Sequence, residues 1–398
     1  MKKSKRIDRI RSLKGIFITL LSLFVLFAAS EFVLRTFTSF GDTLNNIEYY
    51  ASISFSEDEM KTAMKAREDL ASIGRRVVGV PGTIIYRYKK ARTESFNFNS
   101  FGFRGEETQK KEKNEYRIGL YGDSRILGIY LAEKNTIPFV VQKRLQEEFP
   151  DRKITVFNIG IEGTELMREI PFAELESENL ELDMALFYSG TGDVNYSFER
   201  GNIEHPPFKT EEDVVQGVIE NLDADKKKSF FQRSAVVKVI KEAFWSDSAQ
   251  NMVSFEKEDG FRPLIPEFEA RADELVAKLK ARMKKASDLL AAKGIKTVFV
   301  FSTFLQSKEF WSSTEHNLIY RNEIAVPGLN SYVLRCVEGM SESEDPVIFN
   351  HSYVFDGYSD TMFYDGVHFT PTASRIVGND VAERLIPLLK EYLKQESN

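Results

Sequence analysis

The sequence predicts an α/β protein, a three-layer α/β/α sandwich around a five-stranded parallel sheet, preceded by one N-terminal transmembrane helix. Three observations carry that expectation. From Tyr116 onward, short apolar runs alternate with longer amphipathic stretches, the order of a parallel sheet covered on both faces. Small and polar residues cluster where those runs stop, as they do where strands deliver a ligand site at their carboxyl ends. At the N-terminus, a basic segment is followed by about twenty apolar residues.

Residues 1 to 14 carry seven Lys or Arg against Asp8, a local charge of +6 in a chain of net −6, so the remainder stands near −12. An acidic body without a basic stripe argues against nucleic acid as a partner, since phosphate binding needs clustered cations. Between Gly15 and Leu34 the only charge is Glu31. Twenty helical residues at about 1.5 Å each span the roughly 30 Å hydrocarbon layer. The positive-inside rule keeps the basic segment cytoplasmic and predicts a single-pass cell-membrane protein whose C-terminal domain is periplasmic or extracellular. Ala28-Ala29-Ser30 also offers small residues for signal cleavage, so a cleaved, secreted form is the alternative. Apolar residues resume after Glu31, which favours the anchor over residues 1–36.

Hydrophobic residues make up 42% of the 398, enough for one large domain plus an extension. A lone cysteine, Cys336, excludes an intrachain disulfide and a cysteine metal cage. No His pair or carboxylate cluster has ligand spacing, so neither a metal nor another cofactor is expected.

Residues 37–115 read as an extracytoplasmic extension: a helix with an acidic first turn from Ser56 to Ile73, then β-like runs at Thr83–Lys89 and Ser95–Arg104. Residues 116–395 read as the main domain. Its five strands are expected at Arg117–Asp123, Ile154–Gly160, Met184–Gly190, Thr297–Phe304 and Pro346–His351. Helices are expected at Thr136–Glu148, Glu165–Ser177, Glu267–Lys293 and His316–Val337. Thr370 as N-cap and Pro371 at the first helical position open a last helix to about Lys394. Residues 197–266 interrupt the rhythm as an insertion with an apolar stripe at Val236, Val239, Ile240, Phe244 and Trp245, which suits packing, a lid or a partner surface.

The strand ends carry the chemistry. The first ends Gly122-Asp123-Ser124, the second Asn158-Ile-Gly160-Ile-Glu-Gly163, the third Gly190-Thr-Gly192-Asp193, and Asp365-Gly-Val-His368 precedes the last helix. A serine hydroxyl is a weak nucleophile and needs a base within hydrogen-bond reach; that base needs a carboxylate to fix its tautomer. Asp365 and His368, three apart, supply both from one loop. The oxyanion needs donors, which the backbone N–H groups of Ser124 and Gly163 can supply. Each residue alone also has a plain reading as a turn former or helix opener.

In these blocks the sequence resembles the SGNH, or GDSL-type, hydrolases, membrane-anchored bacterial members included, from about Tyr116 to Leu389. That resemblance implies the flavodoxin-like SGNH form of the sandwich, with Ser124 as nucleophile, Asp365 and His368 as triad acid and base, and Gly163 as an oxyanion-hole donor. Arg125 stands where leucine is usual. Asn99 to Gly105 resembles an extension of anchored members, or serves simply as a turn. The third block departs: the family pattern Gly-x-Asn-Asp reads Gly190-Thr191-Gly192-Asp193 here, with glycine in place of the donor asparagine. Asn195 or Thr191 is then the substitute, or turnover is slow.

The expected function is an extracytoplasmic serine ester hydrolase that removes acyl groups, acetyl first among them, from an envelope glycan or lipid through an acyl-Ser124 intermediate. The partners expected are that substrate and the membrane. An O-acyltransferase acting on a cell-surface polysaccharide is one alternative, and a catalytically impaired binding protein of the same fold is another.

Overall fold

The computed structural model describes residues 57–80, 83–200 and 261–396, all within one compact unit. The anchor expected over residues 1–36 and the apolar stripe from Val236 to Trp245 lie outside the described residues. Among those that are described, no helix is long and apolar enough to cross a membrane.

The chain opens with helix α1 (Glu57–Ser72), a hairpin of β1 (Arg75–Val80) and β2 (Thr83–Tyr88), and the short pair β3 (Ala91–Arg92) and β4 (Asn97–Phe98). Then the sandwich begins: β5 (Glu115–Gly122), α2 (Ser124–Leu127), α3 (Ile137–Glu148), β6 (Lys153–Gly160), α4 (Leu166–Asn179), β7 (Met184–Ser189) and α5 (Thr191–Arg200). After residue 260 follow α6 (Pro266–Ala291), β8 (Lys296–Phe301), α7 (Ser313–Ala325), α8 (Leu329–Gly339), β9 (Ser343–Glu344), β10 (Val347–Asn350) and α9 (Pro371–Glu396).

The central sheet runs β6-β5-β7-β8-β10-β9. Its first five strands are parallel, and β9 pairs antiparallel with β10. The sheet is therefore six-stranded and mixed, not the five-stranded parallel sheet expected. A two-residue edge strand, Ser343–Glu344, has no apolar alternation by which to be seen.

Strand periodicity divides the core in two. Ile118, Leu120, Met184, Leu186 and Tyr188 face one layer, with Val141, Leu145, Val377 and Leu385 of α3 and α9. Their neighbours Tyr121, Ala185 and Phe187 face the other, with Phe172, Leu279, Met283 and Tyr332 of α4, α6 and α8. Helix α9 buries Ala373, Val377, Val381, Leu385 and Leu389, every fourth residue, which lays one stripe along the sheet. Full burial of each such large aliphatic side chain contributes about 1.5–3 kcal/mol.

Two other expectations are corrected. The helix predicted from His316 to Val337 is two helices, α7 and α8. Val326-Pro327-Gly328 separates them because Pro327 has no N–H to donate and Gly328 takes φ +86° as the N-cap of α8. Residues 197–200 of the expected insertion continue α5, with Ser197 and Phe198 buried.

The extension packs beside the end of β5. Ala66 and Leu70 of α1, Tyr88, Phe96 and Phe98 form a third apolar cluster with Leu127 and Ile129, the residues just past Ser124. Arg104 ties the same regions together. Its buried guanidinium donates to the carbonyls of Leu127 and Gly128 (2.9 and 2.7 Å), of Ser95 and Leu131, and to Glu133 Oε2 at 2.6 Å. The turn from Asn99 to Gly105 thus delivers a cation to the carbonyl end of α2, where the helix dipole favours one.

Candidate active site

Helix α2 begins at Ser124, immediately after β5. Asp123 caps it: one carboxylate oxygen accepts from the Arg125 N–H (2.9 Å) and Nε (3.0 Å), the other from Arg125 Nη2 (2.8 Å). Arg125 is fully buried, with its guanidinium 5.4 Å from the Tyr188 ring and 5.6 Å from the Phe369 ring. An arginine stands where leucine is usual because Asp123 neutralises it, and aromatic faces take the rest of its charge.

The loop before α9 is folded back on itself, Tyr364 N–H to His368 O (2.8 Å) and Thr370 N–H to Met362 O (2.9 Å). Inside it, Asp365 Oδ1 accepts from the N–H groups of Val367 and His368, both at 2.7 Å, and Oδ2 faces His368 Nδ1 at 2.7 Å. On the far side of the ring, His368 Nε2 lies 2.8 Å from Ser124 Oγ. Burial raises the Asp365 pKa, but the His368 charge and its hydrogen bonds, together with the Val367 N–H, outweigh that and bring it below the usual value. An ionised carboxylate only accepts, so Nδ1 carries the proton and Nε2 is left to accept from the serine hydroxyl. Burial pulls the His368 pKa down, yet the charge and hydrogen bond of Asp365 exceed that and raise it. Both side chains stay 19% exposed, which leaves the pair open to a ligand.

The oxyanion donors expected at Ser124 and Gly163 have no acceptor for their N–H groups among the described residues. Gly163 sits at φ +63°, a left-handed conformation that suits glycine. Its carbonyl is held by the Arg168 guanidinium and by the Tyr196 hydroxyl at 3.2 Å.

Of the two residues that can stand in for asparagine at 192, Thr191 turns away, its hydroxyl 3.1 Å from Ser302 Oγ in the interior. Asn195 is half-buried, one turn further along α5, and its side chain makes no hydrogen bond among the described residues. Helical side chains lean toward the N-terminus, which here is the end of β7 at the site.

Sequence reasoning missed Tyr130 and Glu169, and placed Asp193 only at the end of the third strand. Tyr130, just past α2, sets its ring edge-on to His368 at 5.3 Å. Burial and the Asp365 charge push its phenol pKa well up, so it stays a neutral donor. Below the site, Asp193 accepts from the Leu166 N–H (3.2 Å), and burial with the Glu165 charge pushes it up to about 7. Glu169 is raised well above the usual carboxylate value, chiefly by burial, and accepts from the Ser189 hydroxyl.

No family model matches the sequence, nor does any curated protein. Solved structures similar to it include a GDSL-like lipase from Bacteroides thetaiotaomicron, at 13% identity over 72% of this chain and 92% of that one, TM-score 0.29. Another is an acetyl xylan esterase from Geobacillus stearothermophilus, at 12% identity over 66% and 91%, TM-score 0.28. A third is an alpha/beta hydrolase enzyme from the metagenome of Lake Arreo, Spain, at 15% identity over 66% and 92%, TM-score 0.31. At such identities and scores the chemistry has to be argued from the geometry of the site itself.

Proposed function

We propose that the protein is an ester-bond hydrolase in which Ser124 attacks the acyl carbon, His368 takes its proton and Asp365 holds the imidazole. The observation that carries the reading is the unbroken relay of 2.8 Å from Ser124 Oγ to His368 Nε2 and 2.7 Å from His368 Nδ1 to Asp365. A nucleophile in contact with a base, and a base oriented by a half-buried carboxylate, is the arrangement that activates a hydroxyl. His368 then returns the proton to the leaving alkoxide, and water attacks the acyl-Ser124 ester by the same route. Ser124 and Gly163 N–H are the proposed oxyanion donors, with the Asn195 amide as the third.

The substrate we propose is an acyl group, acetyl first, on an envelope glycan or lipid outside the cytoplasm. The basic segment and the apolar run from Gly15 to Leu34 support that placement, because they suit a membrane anchor with the enzyme on the outer side. Labelling with a fluorophosphonate tests the chemistry. Wild-type protein is expected to label and to cleave p-nitrophenyl acetate, while Ser124→Ala and His368→Ala do neither. A folded wild type that takes no label and cleaves no ester would sink the reading.

A further inference from the structure

The hairpin of the extension touches the loop that carries Gly163, and we propose that Arg75 and Tyr88 are positioning residues for the reaction at Ser124. The inference rests on the ester-hydrolase reading above and adds a role for a segment outside the sandwich.

Glu162 lies in the turn between β6 and α4, where no ladder or helix fixes the backbone. Its carboxylate accepts from the Arg75 guanidinium and from the Tyr88 hydroxyl, partners 87 and 74 residues away in sequence. Tyr88 is itself immobilised: 4% exposed, stacked on Phe98 at 4.3 Å, with the Arg75 guanidinium 5.2 Å from its ring centre. On the far side of the Gly163 Cα, in the next peptide unit, the Gly163 carbonyl is gripped by Arg168 and Tyr196, and Arg168 Nε is held by Glu165 at 2.9 Å. A peptide is planar, so the direction of the Gly163 N–H is set by the residues on either side of it. The Glu162 side chain is held by the hairpin, and the Gly163 carbonyl by Arg168 of α4 and Tyr196 of α5. The hairpin therefore completes the support of the proposed oxyanion donor.

Stability alone gives a weak reason for this contact. The Arg75 side chain is 46% exposed and that of Glu162 29%, and exposed ion pairs contribute little to folding. Misdirecting a donor, in contrast, weakens an interaction made in the transition state.

The test compares kcat and KM for p-nitrophenyl acetate in the full chain and in Arg75→Met, Tyr88→Phe and Glu162→Gln. Deleting an oxyanion donor costs roughly a hundred- to a thousandfold, and a loosened donor retains part of that, so kcat is expected to fall about tenfold. KM is expected to stay within about twofold and the melting temperature to hold, as for loss of an interaction made only in the transition state. The exchange of Arg75→Glu with Glu162→Arg is expected to recover more turnover than either change alone. Unchanged kcat in Arg75→Met and Glu162→Gln, or losses that merely follow a falling melting temperature, would overturn the proposal while leaving the hydrolase reading intact. A wild type without Ser124-dependent activity would overturn both.

Discussion

The carbonyl oxygen of Thr164 lies 2.4 Å from the point where a Cβ on Gly192 would stand, with Glu165 Cβ at 3.3 Å. Helix α5 and the loop after β6 approach so closely there that any side chain forces backbone to move. Glycine at 192 is what this packing admits.

Gly192→Asn is accordingly expected to damage the protein and not to restore the family pattern. Overpacking of this kind costs about 1–3 kcal/mol. A lower melting temperature with no rise in kcat is the expected result. A stable Gly192→Asn protein with faster turnover would show that the loop yields and that the asparagine was simply lost.

If the third donor comes from elsewhere on α5, Asn195 is the residue placed to give it. Asn195→Ala should then lower kcat by about a hundred- to a thousandfold, the cost of one oxyanion donor, with KM little changed. Because the side chain is half-buried and has no protein partner among the described residues, stability should hold. Full activity in Asn195→Ala would leave Ser124 and Gly163 N–H as a two-donor site.

The parallel strands and their helical layers were legible because they follow from local rules, and Ser124, Asp365 and His368 were legible from their places at a strand end and before a helix together with the family resemblance. Apolar runs mark strands, and Thr370-Pro371 marks a helix start, its hydroxyl accepting from Ala373 N–H at 3.1 Å. What stayed hidden depends on distant partners. Arg125 looked like an anomaly until its pairing with Asp123 and the two rings was visible, and Arg104 looked like part of a turn until its carbonyl partners 23 to 27 residues away were placed. Gly192 was read as the absence of a donor, because a sequence does not show what lies against a Cβ. The Pro327-Gly328 break and the Ser312-x-x-Glu315 helix start were written locally and overlooked.

Activity should rise with pH along a single-proton limb. His368 accepts the Ser124 proton only when neutral, and its pKa is raised, Asp365 outweighing the burial that lowers it. The limb in kcat/KM, which reports the free enzyme, should therefore be centred above the ordinary histidine value of about 6.5. The stabilisation linked to the same proton runs the opposite way: it is complete below the unfolded-state value and is lost as pH climbs through the folded one. Asp365→Asn should move the limb down and cut turnover by about 10⁴, since the amide no longer fixes the tautomer. A wild-type limb centred below about 6 would contradict the assignment.

Glu315 holds the loop leading into Asp365. Its Oε1 accepts from the N–H groups of Met362 (2.7 Å) and Phe363 (3.2 Å); its Oε2 accepts from Lys308 Nζ (2.6 Å) and Ser312 N–H (3.0 Å). Neither charged side chain is exposed at all. The Ser312-x-x-Glu315 capping box can be read from sequence, but its tie to the loop that carries Asp365 cannot. Glu315→Gln presents an amide NH₂ either to Lys308 or to the two loop N–H groups, so donor meets donor in both orientations. Breaking a buried pair from one side costs about 3–5 kcal/mol, and that loss of stability is expected together with a fall in kcat. Removing both charges, Lys308→Met with Glu315→Gln, frees the amide oxygen for Met362 and Phe363 and should regain part of both. Chemical denaturation of the three variants decides the matter: if the double variant is no more stable than Glu315→Gln, the uncompensated lysine is not the source of the damage.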